Sequence, residues 1–96
     1  MKLGLNNDSL VKFFGSTSRA RILTLFSIQP HQSFYQREIM YETGLSLQAV
    51  QRELNNLVQL GIIKRQGSYG RVYYRVDPSS SLFKPLSELC ESMGRE

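Results

Sequence analysis

Two glycines and a change of period constrain this chain more than anything else in it. Up to Gly61 the apolar residues recur at spacings of three and four, as on a helix face. Beyond it they alternate. Val72, Tyr74 and Val76 fall on one side of an extended run, and Arg71, Tyr73 and Arg75 fall on the other. Gly44 and Gly61 end two helical stretches, where a residue without a Cβ can take the left-handed conformation that closes a helix. A helix pair stopped twice by glycine and continued by a two-stranded ribbon leaves few ways to fold.

The remaining elements follow from local signals. Residues 9–14 read as a short helix capped by Asp8 and ended at Gly15. Ser16, Thr17 and Ser18 cap a second helix, 19–28, with Ile22, Leu23, Leu25 and Phe26 on its apolar side; Pro30 stops it. Ser33-Phe34-Tyr35-Gln36 has the form of a capping box and predicts a third helix over 35–43. Ser46 caps the longest helix, which runs through Leu60. Residues 62–66 then pair back on 71–76 across Gly67-Ser68-Tyr69-Gly70, a tip whose two glycines tolerate positive φ. Asp77-Pro78 ends the ribbon. A last helix over about 79–93 carries Leu82, Phe83, Leu86, Leu89, Cys90 and Met93 at helical spacing. With 96 residues the expectation is one domain over 1–96, mainly α with a β-hairpin.

Only Gly44-Leu45-Ser46 separates the helices at 35–43 and 46–60, and so short a join makes them cross steeply, as in a helix-turn-helix over about 35–60. On the second of them Leu47, Val50, Leu54, Leu57 and Val58 form a stripe read as core. The opposite side collects Gln48, Arg52, Asn55, Asn56 and Gln59, with Gln51 at the margin and the acid Glu53 off to one side. Amides bond bidentately to adenine and guanidinium groups to guanine. Solvated helix faces are often rich in these residues too. The start of this helix, however, lacks the Asp or Glu that the helix dipole favours, which leaves its positive end open to a phosphate or a base edge.

Charge points the same way. Residues 44–76 carry five Lys/Arg (Arg52, Lys64, Arg65, Arg71, Arg75) against Glu53, a balance of +4 that equals the net charge of the whole chain. Lys64, Arg65 and Arg71 flank a tip bearing Tyr69 and could clamp phosphates, although cations also protect a ribbon edge from aggregation.

Other classes are set aside by what is missing. At 41% apolar and 21% charged the composition is that of a globular chain. No apolar run approaches the roughly 20 residues of a membrane span. MKLGLNNDSL has no long apolar stretch and no small-residue cleavage site, so export is not expected and the compartment is read as cytoplasmic. Cys90 stands alone, which forbids an internal disulfide and a thiolate metal site; it reads as a small core or interface hydrophobe. Gly15-Ser16 is faintly like the Gly-Ser of nucleotidyltransferases, but the only aspartates are Asp8 and Asp77 and no acids stand at i, i+2. With no P-loop and no Cys/His or Gly-x-Ser-x-Gly arrangement, neither catalysis nor a cofactor is expected.

TSRARIL, ETGLSLQAVQRELNNLVQLGIIK and RVYYRVDP together resemble the winged helix-turn-helix of ArsR/MarR-like prokaryotic transcriptional regulators, over about residues 14–86. Within that superfamily the chain is most similar to small ArsR-like domains, including those fused ahead of nucleotidyltransferase domains. The resemblance implies a three-helix core with a wing over about 62–76 and a C-terminal helix. It also implies a homodimer that sets two recognition helices into successive major grooves of double-stranded DNA. Gln48, Gln51 and Arg52 would then read bases, with Asn55 a weaker carry-over. Tyr35, Arg37 and Ser46 at helix starts, and Lys64, Arg65, Tyr69 and Arg71 on the wing, would hold phosphates. Leu10, Phe14, Leu82, Phe83, Leu86, Leu89 and Met93 on the terminal helices would form the dimer, or else close the monomer core. Metal-sensing members carry a cysteine pair before the recognition helix, where Arg37-Glu38-Ile39-Met40-Tyr41 has none. The last helix offers only Glu88, Cys90 and Glu91, and His31 stands alone, so no metal is expected. A winged helix that binds protein, or the DNA-binding partner of a separate nucleotidyltransferase, are the alternatives.

Overall fold

The computed structural model describes residues 8–94. They form five helices and a small antiparallel sheet: α1 (Asp8–Phe14), α2 (Thr17–Ile28), β1 (Phe34–Tyr35), α3 (Gln36–Thr43), α4 (Leu47–Gln59), β2 (Ile63–Ser68), β3 (Arg71–Val76) and α5 (Phe83–Gly94). The sheet order is β1-β3-β2. The side chains of Asp8 and Met93, read as a cap and as an interface residue, lie outside the described part.

α2 is the hub. Ala20, Ile22, Leu23, Leu25 and Phe26 are all buried, and α1, α3, α4 and α5 pack around it. Ser16 caps it, its hydroxyl accepting the Arg19 N–H at 3.2 Å. Its buried Thr24 bonds its own helix, donating to the Ala20 carbonyl at 2.7 Å, so that this hydroxyl is satisfied within the core. Two charged side chains leave α2 and grip the next two helices. Arg19 Nε donates to Glu53 Oε1 at 2.6 Å, tying α2 to α4. Arg21 Nη1 donates to the Thr43 carbonyl at 3.1 Å, a cation on the negative end of α3.

Glu53 therefore does not sit off to the side of α4. It is 3% exposed, on the inner face with Val50, Leu54 and Leu57. Leu47 departs in the opposite sense: read as core, it is 40% exposed. The stripe is complete without it, because Val50, Leu54 and Leu57 already fill the space against α2.

The third helix starts differently from its capping-box reading. Ser33 is exposed and caps nothing; Phe34 and Tyr35 are instead a two-residue strand pairing with Tyr74 and Tyr73 of β3. Burial decides this. Phe34 lies in the core edge-to-face with Phe26, ring centroids 5.5 Å apart, and that contact outweighs a local cap. The role passes to Glu38, whose carboxylate accepts the Tyr35 N–H at 2.8 Å. At the other end Gly44 turns left-handed (φ 73°) and Thr43 Oγ1 accepts the Leu45 N–H, fixing the path into α4.

The ribbon tip is tighter than expected. Gly67 is an ordinary strand residue opposite Val72, and the turn is only Tyr69-Gly70, with φ of 52° and 77°. Two successive positive φ values belong to a type I′ turn, whose twist matches that of the strands. α5 begins at Phe83, later than expected. Asp77 Oδ1 accepts both the N–H and the hydroxyl of Ser79 and holds a loop there, and Pro85 then falls in the first helical turn, where it is tolerated.

Along α5 the apolar stripe serves the monomer in part. Cys90 is buried against α2, while Phe83 and Leu86 pack on the core from its edge. Burial pushes the Cys90 thiol above its usual pKa, and the hydroxyls of Ser27 and Thr24 pull it back only partly. The native state thus favours the neutral thiol, and that contribution to stability is present at lower pH and lost as pH rises through the raised value.

Two outcomes follow. Alkylation of Cys90 in the native protein at mildly basic pH should track global unfolding in a urea series; rapid labelling without denaturant would contradict its burial. Removing the two partners of the α2–α4 ion pair should have unequal effects. Arg19→Ala strands a buried carboxylate and should cost about 3–5 kcal/mol. Glu53→Gln leaves a half-exposed guanidinium that water can reach and should cost about 1–2 kcal/mol by chemical denaturation.

Candidate nucleic-acid interface

With Glu53 turned inward, the outer face of α4 is left with amides and one guanidinium. Gln48, Gln51, Arg52, Asn55 and Gln59 are exposed, and Asn56 is half-buried. The i, i+4 spacing sets them in neighbouring rows, Leu47–Gln51–Asn55 and Gln48–Arg52–Asn56. Ser46 caps the helix, its hydroxyl accepting the Ala49 N–H at 3.2 Å, and the first turn holds no acid. The helix thus presents donors, a positive dipole end and no carboxylate in one direction.

Beside that face lies an open cleft of about 790 Å³, lined by Tyr35, Arg37, Met40, Leu47, Arg71 and Val72 together with Gln36 and Glu38. Four elements meet in it: the end of β1, α3 as far as Met40, the first residue of α4 and the tip end of β3. Arg37 and Arg71 are exposed there. Glu38 is the one acid among the lining residues, and its carboxylate is engaged by the Tyr35 N–H. Tyr35 and Tyr73 stand edge-to-face on the outer side of the sheet, ring centroids 5.8 Å apart, so the phenol of Tyr35 has a defined position.

The structure brings Tyr35, Arg37, Leu47 and Arg71 to one concavity, with Ser46 immediately before Leu47 and Gln48, Gln51, Arg52 and Asn55 following along α4. It separates Lys64 from them. Lys64 is half-buried at the base of the ribbon, opposite Arg75, and roughly 13 Å of strand lies between it and the turn. Arg65 is exposed midway, and Tyr69 is fully exposed at the tip. The Asp77 carboxyl is held below its ordinary value, first by the Ser79 N–H and hydroxyl and, to a lesser degree, by the charges of Lys64 and Arg75. Part of the charge at the ribbon base is therefore answered locally.

Sequence reasoning missed Leu47 and the Arg19–Glu53 pair. The first hid because a leucine at the edge of an apolar stripe reads as core. The second could have been found, since a lone acid within an otherwise basic segment invites a search for its partner.

On the terminal helices, Leu10 is wholly enclosed within the single chain, and Phe14, Phe83, Leu86 and Leu89 are half-buried. Leu82 is 47% exposed, and the neighbouring Phe13, not singled out from sequence, is 60% exposed with its ring against Phe14. Among the described residues no group of three or more His, Cys, Asp or Glu could hold a metal ion, and no helix is long and apolar enough to cross a membrane. No protein-family model, curated protein or solved structure matches the chain.

Tyr69 marks the ribbon tip for a direct test. A left-handed conformation suits Asn far better than Tyr, and the side chain gains nothing by packing. Tyr69→Asn should raise stability by about 0.5–1 kcal/mol in thermal unfolding. If the tip also touches a ligand, the same variant should bind that ligand less tightly.

Proposed function

We propose that this chain is a winged helix-turn-helix domain that binds double-stranded DNA and reads its sequence, acting as a homodimeric transcriptional repressor rather than as an enzyme. In this reading α3 and α4 are the helix-turn-helix, α4 enters the major groove and the β2–β3 ribbon is the wing. The observation that carries it is the outward face of α4. Its one acid is withdrawn onto Arg19, which leaves Gln48, Gln51, Arg52 and Asn55 exposed beside an acid-free helix start. A merely solvated face gains nothing from such an arrangement. A face set against a polyanion does, because a carboxylate there would repel phosphates while amides and guanidinium bond base edges.

The division of labour follows from position. Gln48, Gln51 and Arg52, with Asn55 farther along, contact bases. Ser46, Tyr35 and Arg37 hold phosphates at the mouth of the cleft, with Arg71 on its β3 side and Tyr69 at the wing tip; Arg65, paired opposite Tyr74 on β2, lies on the other face of the ribbon from Arg71 and outside the cleft. Lys64 and Arg75 contribute to the field more than to contact. Phe13 and Leu82, with the half-buried Phe14, Phe83, Leu86 and Leu89, supply an apolar surface for the second copy. The dimer then sets its two recognition helices about one DNA turn apart, roughly 34–36 Å.

Fluorescence anisotropy with duplexes selected from a random pool tests this between roughly 50 and 200 mM salt. Binding should fall steeply with salt. Arg52→Ala should lose about 1–3 kcal/mol on the selected duplex and relax base preference, whereas Arg71→Ala should weaken all duplexes alike and lower the salt slope by about one. Lys64→Ala should have the smaller effect of the two wing substitutions. A chain that retains no duplex at the lowest salt is not a DNA-binding regulator.

A further inference from the structure

Leu47 has no role in the fold that explains it. It is the first residue of α4, it is 40% exposed, and the core stripe of Val50, Leu54 and Leu57 is complete without it. A single exposed leucine ordinarily means nothing. This one differs in its place: it lines the cleft beside Met40, Val72 and Tyr35, with the guanidinium-bearing Arg37 and Arg71 on the same walls. An apolar group in a cleft that also carries two cations, directly before the exposed Gln48, suits a ligand that is anionic along its backbone and apolar at one point within.

Duplex DNA has such a point. The C5-methyl of thymine is the apolar group displayed in the major groove, and it distinguishes thymine there from every other base. We propose that Leu47 is a specificity-determining residue that reads a thymine methyl; this rests on the DNA-binding reading above and adds a base to it. Gln51 strengthens the assignment. It stands one turn along the same row, exposed, and an amide is the partner for adenine N6 and N7. Leu47 and Gln51 are separated by about 6 Å along the helix axis, which spans no more than two base steps. The row therefore suits an A·T-containing step, the methyl taken by Leu47 and the adenine edge by Gln51. Arg37 and Arg71 would hold the flanking phosphates and fix the depth at which Leu47 meets the base.

The test uses a duplex selected from a random pool, with each thymine replaced in turn by deoxyuridine, which lacks only the methyl. The unaltered chain should lose roughly fourfold in affinity at one thymine per half-site and little at the others. Leu47→Ala should lose the same fourfold on the thymine duplex and show no further loss on the deoxyuridine one. That thymine should lie within two steps of the adenine whose replacement Gln51→Ala no longer senses. Tight binding with indifference to every deoxyuridine would overturn the assignment to Leu47 while leaving DNA binding intact. So would a loss that persists undiminished in Leu47→Ala. Failure to retain any duplex would remove the DNA reading itself, and this assignment with it. The scan on the unaltered chain does not depend on any variant folding.

Discussion

The arrangement of α3, α4 and the ribbon depends on two arginines that leave α2 two residues apart in sequence, and so on different sides of the helix. Arg19 reaches Glu53 on the inner face of α4, and Arg21 reaches the last carbonyl of α3. Apolar packing alone would let helices of this size rotate and slide, since a stripe of Val and Leu is tolerant of small shifts. A 2.6 Å ion pair on one side of α4 is not. It fixes which residues of that helix look outward. An interior carboxylate is expensive to desolvate, and specificity of arrangement rather than net stability is the best use of such a pair.

The same contact settles the electrostatics of the outer surface. A helix bearing Gln48, Gln51, Arg52 and Asn55 becomes a cationic, amide-rich ridge only because its acid is spent inside. The ribbon then extends the positive surface: Arg71 lines the same cleft as Arg37, and at the ribbon base Asp77 lies close enough to Lys64 and Arg75 for their charge to lower its pKa.

Much of this was legible in the sequence. Gly44, Ser46 and Gly61 bounded the longest helix to within a residue, because their conformational preferences are local and nothing tertiary opposed them. The alternation over 71–76 gave the correct faces of β3 for the same reason. The errors arose where a distant partner decided the outcome. Ser33 offers a good local cap, yet Phe34 is taken by Phe26 and by β3 into a strand. Glu53 turns inward because Arg19, thirty-four residues away, bonds its carboxylate, while Leu47, at the edge of the apolar stripe, is left outside the core. Gly67 was assigned to the turn on composition, but register puts it opposite Val72 and leaves Tyr69 to take the left-handed conformation. Of the candidate site, the α4 face was readable from periodicity alone. The cleft was not, since it exists only where the continuous β1–α3 segment, the start of α4 and the distant β3 converge.

β1 is two residues long and easily overlooked, yet no loop separates it from α3: Tyr35 is the last residue of the strand and Gln36 the first of the helix. Because β1 pairs with β3, the central strand of the sheet is joined directly to the first turn of α3, and through the three-residue join to α4. Strand pairing, and not a free loop, therefore sets the path from the ribbon to the start of the helix pair. Under the proposed reading, a duplex that meets both the ribbon and the α4 face meets a spacing written into the backbone by two residues, Phe34 and Tyr35.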